Sequence, residues 1–235
     1  MSLKSYLKRP YVFASVWVAI FTIAGFWVSY YSRLPFGVSD HGLVTHLHAA
    51  VFTGWLVLLI VQTILAAQGK IKQHMALGTV GIYWGCALII MGLWIALQSF
   101  QHNIAAQGME AASRTLAFPL FDMLLFTPAF ALAISFRKTP RHHKRLMLVA
   151  VTVMLVAPGA RLLIALDKYS DSLLLIIWLL PLVFAQISDL VRRKGLSPIY
   201  LTAMIIIPLS YFGRLAIRET EPWATFTQSL AKVLS

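Results

Sequence analysis

The chain is short of acid and nearly free of cysteine. Eight Asp and Glu stand against twenty Lys and Arg, and Cys86 is the one thiol. A single cysteine excludes an internal disulfide and any CxxC redox or zinc site. Charged residues make up 12% of the sequence, too few to keep a soluble domain of this size dispersed in water. No GxxxxGK[ST], GxGxxG, HExxH or GxSxG string occurs, which removes the corresponding nucleotide, zincin and serine-hydrolase readings. The last two apolar runs hold no lysine, so a retinal Schiff base has no anchor. The HxxxH and HxxHH clusters of a membrane di-iron hydroxylase are missing as well.

What the chain has instead is long apolar runs. Hydrophobic residues make up 59% of it, and the mean hydropathy is +0.77. A hydrocarbon core of about 30 Å takes roughly 20 apolar residues in a helix. That criterion gives about seven transmembrane helices, at Tyr11–Tyr31, Leu43–Ala67, Met75–Ser99, Leu116–Phe136, Leu146–Leu166, Leu173–Leu190 and Pro198–Ile217. The fold class is therefore all-α and polytopic. Short connections make neighbouring helices antiparallel, so residues 1–235 are read as one bundle in a single transmembrane domain. Phe100–Thr115 is the longest connection. The basic start MSLKSYLKRP and the run after it are too long for a cleaved leader and read as a retained first helix. After Ile217, Pro222 and the spacing of Trp223, Phe226, Leu230 and Val233 give residues 218–235 as a short amphipathic tail in the membrane interface.

The formal charge is +12. Because the basic residues stand between apolar runs, they point to topology control and anionic lipid rather than to nucleic acid. Lys4, Lys8, Arg9, Lys70, Lys72, Arg137, Lys138, Arg141, Lys144, Arg145, Arg192, Arg193 and Lys194 fall on one side. Arg33, Arg114, Arg161, Lys168, Arg214, Arg218 and Lys232 fall on the other. The positive-inside rule then puts the N-terminus in the cytoplasm and the C-terminus outside, in a bacterial cytoplasmic membrane.

An ionisable residue inside an apolar helix needs a partner or a task. The stretch Asp40–Gly78 holds four of the seven histidines, at both mouths of one helix. An outer layer takes His48 from the second helix, Asp122 from the fourth and Arg161 from the fifth, with His41 and His46 just above. Two readings stand: an Asp122–Arg161 ion pair tying two helices, or an outward-opening polar pocket lined by His46, His48, Asp122 and Arg161. His46 and His48 lie about 200° apart on a regular helix and cannot both face the bundle. An inner layer takes Gln62, His74, His142 and His143. Neutral imidazole ligates heme iron, zinc or copper, and His74 and His143 converge if their helices are neighbours. Otherwise RHHKR is a solvated basic turn. In the third helix Gly81 and Gly85 stand at the GxxxG spacing of a packing seam.

His48, Gln62, His74 with Leu77-Gly78, and His143-Lys144-Arg145 give a pattern over Leu43–Leu163 that resembles small uncharacterised bacterial integral membrane proteins. More loosely it resembles the cytochromes b561, helical bundles with histidine-ligated heme near each membrane face. That likeness implies His48 as an outer metal ligand and His74 and His143 as inner ones, with Arg161 offsetting an anionic group of the cofactor and Asp122 orienting a histidine. The expected function is a membrane redox protein that holds heme b or another histidine-ligated metal and exchanges electrons with quinone or a larger membrane complex. The alternative is a non-enzymatic transporter, sensor or accessory subunit that uses the outer pocket. No nucleophile–base pair marks a catalytic residue.

Overall fold

The computed structural model describes residues 9–36 and 42–234. They form nine α-helices: α1 Pro10–Phe26, α2 Leu43–Ala67, α3 Ile71–Gln107, α4 Met109–Ser135, α5 Pro140–Val153, α6 Val156–Ala165, α7 Asp171–Val191, α8 Pro198–Ile217 and α9 Glu221–Leu234. A short 3-10 turn, Tyr31–Phe36, follows α1. Five helices, α2, α3, α4, α7 and α8, are long and apolar enough to cross a membrane, and the bent pair α5–α6 makes a sixth if it is one span. At 17 residues, α1 is a shorter apolar helix.

Large apolar side chains face outward all around, among them Ile20, Val57, Tyr83, Ile90, Leu124, Ile176, Ile205 and Leu209. Such a coat is tolerable against lipid and not against water. The core is filled by Leu88, Phe126, Trp178, Leu182 and Tyr200, all fully buried.

Chain neighbours pack as hairpins, α2 on α3, α3 on α4 and α4 on α5. The sheetless bundle is closed by α1, which lies between α2 and α6 and also touches α5 and α7, while α8 lies on α4, α5 and α7. The closest backbone approach is at Gly25 of α1, where an added Cβ would run into the backbone and ring of Pro158 in α6.

Three boundaries differ from expectation. The first helix, expected over Tyr11–Tyr31, ends at Phe26. Phe100–Thr115 is helix rather than loop, interrupted only by Gly108, which ends α3 and begins α4 at φ 86°. Its residues are polar, but Ala, Gln, Met and Glu are strong helix formers, and a positive φ is cheap only for glycine. The expected single helix Leu146–Leu166 starts earlier, at Pro140, and breaks after Val153 with a bend of 43°. Pro158 is the cause: it offers no N–H to the carbonyl of Met154 and its ring crowds that turn. The nearby carbonyl of Thr152 accepts from the Trp178 indole at 2.7 Å, so the break is sealed by α7.

α3 has 37 residues, about 55 Å at 1.5 Å per residue, and so overshoots a core of about 30 Å. Its C-terminal part, with the start of α4, carries α9. Trp223 donates to the Ser113 carbonyl at 3.0 Å, the hydroxyls of Ser113 and Thr227 meet at 2.8 Å, and Leu230 and Leu234 cover Ala96, Phe100, Ala112 and Leu116. The tail forms a helix as its spacing predicts, and Trp223 finds a protein partner.

Gly25→Ala is expected to lower stability by about 1–3 kcal/mol, since it overpacks against backbone. Gly213, which faces open space, should take alanine within about 0.5 kcal/mol of wild type. Thermal unfolding of both variants in detergent checks the contrast.

Candidate functional site

Two hairpins build one end of the bundle in the same way. In α2–α3 and in α4–α5, a basic residue, any residue, histidine, two residues and leucine open the second helix: Lys72-Gln73-His74-Met75-Ala76-Leu77 and Arg141-His142-His143-Lys144-Arg145-Leu146. Each histidine is the fourth residue of its helix. Each turns Nδ1 onto a carbonyl of the helix before it, His74 onto Gln62 at 3.2 Å and His143 onto Ala133 at 2.8 Å. A carbonyl only accepts, so Nδ1 is the donor, and in a neutral ring that leaves the Nε2 lone pair free. Neither Nε2 has a hydrogen bond among the described residues. The ring centres stand 6.3 Å apart, with planes at 78°. The neighbouring His142 points away, exposed beside Phe136.

Both histidines line a cavity of about 410 Å³ between α1, α2, α3, α4 and α5. Its walls are apolar, with Trp55, Leu58, Phe130, Leu148 and Val151, and Gly78 and Gly81 form the side given by α3. A methyl at Gly81 would only touch Leu58, whereas one at Gly85 would enter the Phe130 ring; the two glycines therefore serve different contacts. Arg9, Lys144 and Arg192 stand among the lining residues, and among the described residues no Asp or Glu does. Two buried wall atoms, Trp55 Nε1 and Gln62 Oε1, have no hydrogen-bond partner among the described residues.

Behind this cavity lies a polar cluster that sequence reasoning missed. Arg145 sits against Asp189 of α7, with Nε at 3.2 Å and Nη2 at 2.6 Å from Oδ2. Its guanidinium lies over the Tyr200 ring, and the Tyr200 hydroxyl meets that of Tyr11 at 2.8 Å. Arg145 had counted as one more basic residue of the turn. The signal was Asp189, the one carboxylate on a face otherwise made of bases, since a buried lone acid requires a partner.

At the opposite end the expected constellation divides. Asp122 pairs with Arg214 of α8, Nη1 to Oδ1 at 2.5 Å, and both are buried. It does not pair with Arg161. α4 packs against α8, whereas α6, which carries Arg161, packs on α1 and α7. Arg161 lies over the Phe26 ring at 5.1 Å. His46 and His48 diverge as their spacing requires: Nδ1 of His46 meets the Tyr30 hydroxyl at 3.0 Å, and His48 lies 4.2 Å from Phe52 with its buried Nδ1 unbonded. His102 is exposed on α3, and His41 lies outside the described residues. Tyr169, between α6 and α7, and Tyr211 of α8 both donate to Asp171, and burial pushes the Tyr169 phenol above its ordinary range.

No group of three or more His, Cys, Asp or Glu converges among the described residues. No protein-family model, no curated protein and no solved structure matches the chain.

Asp122→Asn leaves Arg214 buried without its counter-charge, and a loss of about 3–5 kcal/mol is expected. Arg214→Met in the same chain should recover most of it. A double-mutant cycle read by thermal unfolding should couple positions 122 and 214 by more than about 1 kcal/mol and positions 122 and 161 by less than about 0.5.

Proposed function

We propose that the chain is an integral protein of a bacterial cytoplasmic membrane that holds a b-type heme between His74 and His143 and exchanges electrons with a lipophilic partner such as a quinone. The reading is carried by one observation: two matched hairpins bring two Nδ1-tied imidazoles to one apolar cavity, 6.3 Å apart. Both Nε2 atoms are free of hydrogen bonds among the described residues, and His74 and His143 would hold one iron between them. A carbonyl holding Nδ1–H is the usual support of a ligating histidine, since it fixes the tautomer and makes Nε2 more basic. Two donors are too few for a bare zinc or copper ion, but they suffice where a porphyrin supplies the remaining positions.

The rest of the cavity suits the same group. Its volume of about 410 Å³ falls in the range of cofactor sites. Arg9, Lys144 and Arg192 would offer cations to propionates, and no lining carboxylate among the described residues opposes them. Trp55 Nε1 is a free buried donor on the wall. Heme with two imidazole ligands supplies one-electron transfer. The residues of this chain orient the ligands, exclude water and neutralise the anionic edge. His48 meets no second imidazole among the described residues, so the proposal is confined to this cavity.

Counting α1 and taking α5–α6 as one span gives seven crossings. The weight of Lys and Arg at the histidine end supports a cytoplasmic N-terminus and an outer C-terminus. The basic turns then face anionic lipid.

Protein purified from heme-replete cells should show a Soret band and about one heme per chain. His74→Ala and His143→Ala should each remove it, and His48→Ala should not. A colourless wild-type preparation overturns the proposal. Independently, alkaline phosphatase fused after Ser235 should be active, and activity only in a fusion after Lys70 would invert the topology.

A further inference from the structure

Of the arginines carried by the helices, Arg145 and Arg214 are buried, and Arg161, exposed on α6, is treated differently. Arg145 has Asp189 and Arg214 has Asp122. Arg161 has no carboxylate within ion-pair distance and no hydrogen bond among the described residues; its only recorded contact is the Phe26 ring. A cation inside an apolar segment is costly unless something answers its charge.

The second observation is His48. Neither of its ring nitrogens makes a hydrogen bond among the described residues, and Nδ1 is buried. A neutral imidazole always carries one N–H, so a donor is left without an acceptor. The Arg161 charge reaches this ring. α1 packs against both α2 and α6, and its last residue, Phe26, carries the Arg161 guanidinium. Depths agree as well. Five residues into α2 and four from the end of α6, the two side chains lie about 6–8 Å inside the same end of the bundle. That is the level at which head groups meet hydrocarbon.

Asp122 is taken by Arg214 and Asp171 by Tyr169 and Tyr211, and neither Arg161 nor His48 meets a carboxylate among the described residues. We infer that Arg161 and His48 form a binding site for an oxyanion group, a phosphate or a carboxylate, at the end of the bundle opposite the histidine cavity. The guanidinium gives two parallel N–H donors to such a group, and His48 gives a third. Phe26 and Phe52 flank the site with apolar surface, which accommodates the carbon skeleton attached to the anion. The same chemistry is offered by an outer-leaflet lipid phosphate and by a soluble anion, and the test separates the two. The inference does not rest on the heme proposal.

Wild type, Arg161→Gln and His48→Phe are reconstituted in phosphatidylcholine nanodiscs and unfolded by heat. One arm adds millimolar inorganic phosphate, one adds succinate, and one replaces a third of the lipid with phosphatidylglycerol. At least one arm should raise the wild-type Tm by roughly 3 °C or more. Arg161→Gln should remove that rise and His48→Phe should at least halve it. A rise with phosphatidylglycerol alone identifies a lipid head group; a rise with phosphate or succinate identifies a soluble anion. The basic turns also feel anionic lipid, so only the part lost in Arg161→Gln counts. If Arg161→Gln does not fold, Arg161→Lys should fold and show a smaller rise than wild type. No rise in any arm, or a rise equal in wild type and variants, overturns the inference.

Discussion

Scarcity of acid governs how this bundle assembles. An arginine side chain cannot shed its charge, and inside apolar helices it needs a carboxylate placed by another helix. Among the described residues two carboxylates are buried, and they serve opposite ends: Asp189 fixes Arg145 between α7 and α5, and Asp122 fixes Arg214 between α8 and α4. Breaking a buried pair is far more costly than forming it is rewarding. The pairs therefore act chiefly as selectors of which helices meet, while Leu88, Phe126 and Trp178 supply the cohesion.

This selection explains what the sequence could and could not disclose. Helices announce themselves through hydropathy, so α2 and α8 coincide with their expected limits. The segment around Gly108 misled because hydropathy and helix propensity disagree there: it is polar enough to leave the membrane and still rich in Ala, Gln and Met. Asp122 was recognisable as a group in need of a partner. Choosing between Arg161 and Arg214 required knowing that α4 touches α8, and no local pattern encodes that contact.

The inner histidines were legible by type and place, and the structure adds their relation. His74 and His143 had been paired only on the condition that their helices are neighbours. Once each is seen as the fourth residue of a helix with Nδ1 on the preceding helix of its hairpin, the strings around them align over six residues. So short a repeat in basic, loop-like sequence is invisible without the helix starts to index it. Arg145 stayed hidden for a related reason: on a helix its neighbours Arg141 and His142 face out while it faces in, and a run of charges conceals that rotation.

The indexing has a consequence for how the chain tolerates change. Successive residues on a helix are turned by about 100°, so one residue added to either basic turn would swing its imidazole out of the cavity even if every helix kept its packing. The turns Gln68–Lys70 and Phe136–Thr139 are thus rulers rather than spacers. Their lengths are constrained, and at Gly69, with φ 73°, so is the residue type. Loop length is ordinarily the most permissive property of a protein, and here it carries the same constraint as a ligand.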